Sequence, residues 1–255
     1  MLLGPQTRIE TLLWKSDRFS TPTTSAGFLS ATGITPTSLY NCREASGAAV
    51  DSVSGNNLAA IGSPKYQQPI GGKIGFKYDT AGAGHGSNVN DFASNSVIFG
   101  CVATIPSTPS AGLPGIIGRT CFTTFPEAMI YRASDAVKYA TFTIRDSVST
   151  LILSDNSLNL VDVQRPILYI GQIDRTNTTA RFLIADTNKI LTQRSGSIAG
   201  FGTLTGGSSP MFCFGAGTSF VAGPAVCYAF YATGAQCEGS TKLLNVARGL
   251  GFGDF

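Results

Sequence analysis

From about residue 38 onward the chain alternates short apolar runs with clusters of Gly, Asn, Asp, Ser and Pro. Runs of four to eight residues bounded by such turn-forming clusters predict β-strands, and they fall at 74–78, 96–103, 115–118, 128–131, 140–144, 150–153, 211–214 and 225–231. The clearest pair is 166–173 and 180–185, two β-rich runs flanking Asp174-Arg175-Thr176-Asn177-Thr178-Thr179, whose side chains can bond the local backbone and so predict a hairpin. A helical period is visible only near the end, where 240–249 reads as a short helix with Ser240 as N-cap and Gly249 past its end. No internal repeat interrupts this pattern. The fold class it predicts is all-β.

Residues 1–35 carry neither period. They hold the only Trp and a Ser-Thr-Pro-Thr-Thr-Ser stretch, and read as an N-terminal arm before a sandwich over 36–248 and a tail over 249–255. Ile9, Leu12, Leu13 and Trp14 would be costly to leave in water, so they are the candidate assembly residues of that arm.

Composition narrows the functions available. Hydrophobic residues are 43% of the 255, enough for a substantial core, while charged residues are only 13%. The surface is therefore neutral and polar. A net charge of +3 without a Lys/Arg-rich block lacks the basic stripe that phosphate-dominated binding needs, so no nucleic-acid partner is expected. The first residues lack the positive and apolar regions of a secretory signal. The uncharged stretch 195–237 is broken by Gly, Ser and Pro every few positions, so no membrane partner is expected either. Cys42, Cys101, Cys121, Cys213, Cys227 and Cys237 form no C-x-x-C pair, which removes zinc-ribbon and thioredoxin readings; buried thiols are expected, and disulfides remain the alternative.

The order of these elements resembles the concanavalin A-like, laminin-G-like jelly roll. Ala48 to Leu58 is similar to that family's Asp-x-Ser-Gly-Asn segment with one residue inserted, and Gly75-Phe76-Lys77-Tyr78-Asp79 sits where its following strand stands. The 169–185 hairpin, with Asp174 and Asn177 at its turn, resembles the family's middle hairpin, Phe214-Gly215-Ala216-Gly217 its later Ile-Gly strand, and 221–231 its closing strand. The resemblance covers residues 38–245 and implies an antiparallel two-sheet jelly-roll sandwich. Where the family usually has a Trp before the middle strand, Arg165-Pro166-Ile167 stands instead.

Candidate chemistry is sparse. Glycosidases of this fold resemble one another in a Glu-x-Asp-x-Glu strand, but the four Glu here (Glu10, Glu44, Glu127 and Glu238) are scattered. The single histidine, His85, has no Gly-x-Ser-x-Gly elbow with it and lies in the loop-like stretch 79–91, where it reads as an ordinary surface residue. Catalysis is not expected, and no cofactor is. The same stretch offers Asp79, Asn88, Asn90 and Asp91, hard oxygen ligands of the type calcium takes, and the resembled fold often carries calcium at a sandwich rim. Tyr40, Tyr66, Tyr131 and Tyr139 are the candidate platforms for sugar stacking.

In overall style the sequence also resembles particle proteins of tailed bacteriophages. That implies a structural or binding component of a virion, a capsid decoration, collar, tail or fibre, assembled in the host cytoplasm. Such a protein would self-associate, as a trimer, and contact other virion proteins. The alternative is a lectin module that recognises a cell-surface polysaccharide.

Overall fold

The structure, a computed structural model, describes residues 19–80, 82–88, 95–105, 115–119, 128–132, 139–157, 160, 165–204, 211–215 and 224–253. Among these described residues there are fifteen strands: β1 (Ser38–Tyr40), β2 (Ala59–Ile61), β3 (Lys65–Ile70), β4 (Lys73–Lys77), β5 (Gly84–Asn88), β6 (Val97–Thr104), β7 (Gly115–Arg119), β8 (Ala128–Arg132), β9 (Ala140–Arg145), β10 (Thr150–Ser154), β11 (Ile167–Asp174), β12 (Thr179–Ala185), β13 (Ile190–Ser197), β14 (Met211–Gly215) and β15 (Ala225–Thr233). An eight-stranded sheet runs β13-β12-β11-β6-β15-β4-β3, with β1 also on β15, and a seven-stranded sheet runs β10-β9-β8-β7-β14-β5-β2. Every pairing in both sheets is antiparallel, and the two sheets face each other.

The strand β6 shows how the core is built. Its alternate residues Val97, Phe99, Cys101 and Ala103 face the other sheet, where Phe99 meets Phe142 of β9 edge-on at 5.6 Å. Its other residues Ile98 and Val102 belong to a second apolar layer on the outer face, with Leu168, Ile170, Leu183, Tyr228 and Phe230. A strand that is apolar on both faces needs cover on both, and a layer of helices and terminal segments supplies it. The helix α1 (Ser25–Thr32) places Phe28 against Phe230 at 5.0 Å, and α2 (Lys242–Gly249) buries Leu243, Val246 and Ala247. Each such burial is worth about 1.5–3 kcal/mol.

This layer corrects the expected division of the chain. Within the segment expected to be an arm, Phe19, Phe28 and Ile34 are core residues, and Ser20 N–H donates to Leu250 O at 2.9 Å. Within the segment expected to be a tail, Leu250 and Phe252 are buried, Phe252 lies 5.2 Å from Phe19, and Gly253 N–H donates to Asp186 O at 2.7 Å. The described residues of 19–35 and 249–253 thus pack onto the sandwich; Ile9, Leu12, Leu13 and Trp14 lie outside the described residues.

The helix α1 has almost no apolar period, and its caps define it: Thr24 Oγ1 accepts from Gly27 N–H at 3.1 Å, and Gly33 closes it at φ 73°. In helix α2 Thr241, not Ser240, takes the N-cap position, without a side-chain hydrogen bond, and Gly249 is the last helical residue. A Cβ on Gly249 would lie 2.0 Å from Ala31 O, so glycine is required there by the close approach of the two helices. No helix among the described residues is long and apolar enough to cross a membrane.

Candidate functional site

One cluster of polar groups among the described residues involves β3, β4, β5 and the loop that follows β1. Asp51 organises that loop. Its Oδ1 accepts from Leu39 N–H at 3.0 Å and Val53 N–H at 2.9 Å, while Oδ2 accepts from Ser54 N–H at 3.3 Å, Asn56 N–H at 3.2 Å and the Ser54 hydroxyl. The carboxylate is buried and serves as an internal template for the 51–56 turn, which is the physical role of the Asp-x-Ser-Gly-Asn-like segment here.

The segment between β1 and Asp51 also reaches His85, through Gly47. The sequence suggests a surface loop, but 84–88 is the strand β5, and Gly-His-Gly-Ser alternates His85 and Ser87 inward against small outward residues. His85 is fully buried. Its ring stacks on Phe76 at 4.6 Å and meets Tyr66 edge-on at 5.9 Å; Phe214 lies 5.8 Å away. Both ring nitrogens are engaged, Nε2 with Gly47 O at 3.0 Å and Nδ1 with Tyr78 Oη at 2.8 Å. A carbonyl can only accept, so Nε2 carries the proton and Nδ1 accepts from the Tyr78 hydroxyl. Burial holds the imidazole below its ordinary pKa, opposed by the Gly47 hydrogen bond. Burial also raises Tyr78 well above the phenol value.

The stacking and calcium candidates fare differently. Tyr40 is buried between the sheets, 6.0 Å from Phe212 and 5.9 Å from Phe214, and so presents no platform. Tyr66 is half-buried, donates its hydroxyl to Gly47 O at 2.7 Å and packs edge-on against Phe76. Tyr139 is half-buried just before β9; the side chain of Tyr131 lies outside the described residues. Asp79 receives Lys65 Nζ at 2.6 Å and Lys77 Nζ at 3.7 Å. Burial works against its ionisation, but the two lysines outweigh this and bring its carboxyl below the usual range. Asp79, a candidate calcium ligand by sequence, is thus paired in this structure through Oδ2 with two ammonium groups. Asn90, Asp91 and the side chain of Asn88 lie outside the described residues. Among the described residues, no group of three or more His, Cys, Asp or Glu is placed to hold a metal ion.

Asp174, at the start of the predicted hairpin turn, proves to be a buried polar hub that ties the middle hairpin to the segment before α2, while Thr176, Asn177 and Thr178 of the turn are exposed. Asp174 is fully buried and accepts from Gly239 N–H at 2.9 Å, Asn177 N–H at 3.0 Å, Asn177 Nδ2 at 2.9 Å and Arg181 at 3.1 Å. Burial opposes its charge, but these donors prevail and lower its pKa. Gln172 donates to Gly239 O at 3.0 Å and accepts from Arg181 at 3.2 Å. Other carboxylates act alike. Asp146 accepts from the Ser149, Val148 and Gly202 amides, and Asp155 from Ser157, Thr192 and Arg194; both pKa values are lowered by these bonds. The five described cysteines are buried and unbridged, as expected for thiols; Cys121 lies outside the described residues. Burial pushes Cys227 and Cys237 up to about 12.

No family model and no curated protein sequence matches the chain. Solved structures do. The binding domain of botulinum neurotoxin serotype D superposes with a TM-score of 0.57 at 12% identity, over 87% of this chain and 52% of that one. A Trypanosoma rangeli sialidase in complex with sialic acid superposes with a TM-score of 0.56 at 10% identity, over 84% of this chain and 32% of that one. A protein of unknown function from Shewanella oneidensis MR-1 matches over 94% of this chain and 100% of its own length, with a TM-score of 0.52 and 12% identity. The chain is an antiparallel two-sheet sandwich of the jelly-roll class. It spans about a third of the sialidase and half of the toxin domain, so the likeness is one of fold.

Proposed function

We propose that this chain is a recognition module, a jelly-roll sandwich that works by binding a partner rather than by transforming a substrate. One observation carries this reading. Among the described residues, most carboxylates are built into the scaffold: Asp51, Asp146, Asp155, Asp174 and Asp186 accept two or more protein donors each, and both nitrogens of the chain's single histidine are engaged inside the core.

The ligand class that fits is a neutral, hydroxyl-rich cell-surface glycan. Only 13% of residues are charged, and on β10 the positions that alternate with the core residue Leu153 are Thr150, Ile152 and Ser154, two hydroxyls flanking an exposed apolar side chain, a surface that can exchange hydrogen bonds with sugars without a charge to neutralise. Similar folds occur in a receptor-binding domain and in a sialidase whose bound sugar is sialic acid. Titration calorimetry against a panel of purified polysaccharides, with calcium and with chelator, tests the proposal. Saturable binding by at least one polysaccharide is the expected result; heat-silent titrations across the panel reject the glycan reading.

The apolar residues Ile9, Leu12, Leu13 and Trp14 favour a second reading, a virus-particle component that self-associates, as a trimer, and contacts other virion proteins. Light scattering on the full chain beside a form lacking residues 1–18 tests it. The cut must stop there, because removal to residue 35 would take Phe19, Phe28 and Ile34 out of the core. An oligomer that becomes a folded monomer supports assembly; two monomers reject it.

A further inference from the structure

We propose that His85 is an acid-operated latch: it ties the loop of residues 41–49 to the end of the sandwich, and protonation of its imidazole releases this loop while both sheets stay folded. The loop runs along the surface with Arg43, Ala45, Ser46 and Gly47 exposed. Its tip is tied to the sheets through one carbonyl, Gly47 O, which accepts from His85 Nε2 at 3.0 Å and from the Tyr66 hydroxyl at 2.7 Å. The other hydrogen bonds lie within the loop or at its base, Val50 N–H to the Glu44 carboxylate at 2.9 Å and the Ala49 and Leu58 amides exchanged with each other's carbonyls at 2.9 Å, while Cys42 and Ala49, buried in the core, anchor its two ends, so that the segment free to lift is 43–48.

At neutral pH the arrangement is satisfied, with one donor and one acceptor on the ring and a partner for each. A second proton at Nδ1 turns the acceptor into a donor. Tyr78 Oη must then accept instead, turning its own hydrogen toward a buried site, and a full charge is placed among Phe76, Tyr66 and Phe214. The stacked Phe76 face recovers only part of that cost. The titratable groups in contact with the ring are Tyr66 from β3 and Tyr78 after β4, and behind these two tyrosines stand Cys42 and Glu44 of the loop. Phe76, Phe214 and the cross-strand neighbour Ala60 complete the wall without charge. Burial holds the imidazole in its neutral form, and it raises Tyr66, Tyr78 and Cys42, so these three stay uncharged across the same range. When the loop lifts, water reaches the imidazolium and the charge is solvated. Acid therefore favours the open state.

His85 is the chain's only histidine, so its imidazole signals in proton NMR are unambiguous. The experiment follows these signals in the full-length protein from pH 8 to pH 5. Amide exchange is measured in parallel at Val50, whose N–H is held by Glu44 of the loop, and at Phe99 and Ile170 in the central strands. With an ordinary imidazole in the open state, the loop opening constant rises up to about thirtyfold between pH 7.5 and pH 5, after correction for intrinsic exchange. Its midpoint follows the imidazole titration, and Phe99 and Ile170 stay protected. E44Q keeps this response and H85Q flattens it. The proposal is overturned if loop opening does not change with pH, if the imidazole titrates without the loop opening, or if the central strands open together with the loop. Should H85Q fail to fold, agreement of the two midpoints in the unaltered protein decides the matter.

Discussion

Asp174 and His85 are both polar side chains buried completely at the margins of the sandwich, and they are held there in opposite ways. Asp174 is charged and collects donors from three directions: its own turn, the neighbouring strand through Arg181, and the segment before α2 through Gly239. His85 is neutral, with one bond to a hydroxyl and one to a carbonyl, inside a cage of aromatic rings. The first arrangement lowers a pKa by solvating a charge with protein dipoles, the second by denying a charge any solvation. A charged group that is fully solvated by the fold cannot be removed without leaving its partners orphaned. A neutral group among rings is tolerant of small changes but intolerant of a proton.

The largest effect should come from removing the charged hub. D174A leaves Arg181, which is largely buried, and the Gly239 and Asn177 amides without their acceptor, and should cost about 3–5 kcal/mol in urea unfolding at pH 7. A loss below about 1 kcal/mol would mean that the hub is more open to water than its burial implies. Next is Y78F, which removes the one donor to His85 Nδ1 and keeps the ring; one unsatisfied buried acceptor should cost about 1–3 kcal/mol. If Y78F is neutral, His85 is held by packing and the two sites differ less than their hydrogen bonds suggest.

The smallest and most discriminating effect is the dependence on pH. The folded pKa of His85 is depressed, so its contribution is complete above the ordinary imidazole value and declines as pH falls through it, because the unfolded chain then binds a proton that the folded one refuses. By pH 5 the loss is at most about 2 kcal/mol, the limit set by an ordinary imidazole in the unfolded chain. Asp79, Asp146, Asp155 and Asp174 also have depressed values, but as carboxylates they begin to lose stability only below about pH 4. A unfolding series across pH 8 to 3 should therefore show two separate declines. A single decline confined to the lower range would remove His85 from the account.

Much of the fold was legible in the sequence. Strands β6, β11, β12 and β15 are long apolar runs bounded by turn residues, and the Asp174–Thr179 segment between β11 and β12 announces its hairpin. Strands β3, β5 and β13 were not legible. Residues 65–70 and 190–197 are polar because they form edges of the eight-stranded sheet, with one side open to water, and 84–88 alternates His and Ser with small residues rather than apolar with polar ones. Helix α1 escaped for a related reason, since only Phe28 and Thr32 of its eight residues are buried and its caps alone define it.

The candidate site was read less well. Asp79 was picked out as an oxygen ligand because the sequence shows an acidic residue beside a Gly- and Asn-rich stretch; strand pairing of β3 with β4 brings Lys65 and Lys77 to it from both sides. His85 read as an ordinary surface residue because its partners, Gly47, Tyr66 and Tyr78, lie up to 38 positions away.

What the sequence by itself determined is the class of structure: period-two apolar patterning and turn chemistry are local properties, and they specify strands and an all-β core without reference to distant residues. What only the tertiary structure decided is the state of each polar side chain. Whether Asp79 meets a cation or two lysines, whether His85 is wet or sealed, and whether Phe19 and Phe252 are loose ends or a third layer over the sheet depend on which distant segments fold against them. Burial and pairing set those energies, and both are properties of the assembled chain.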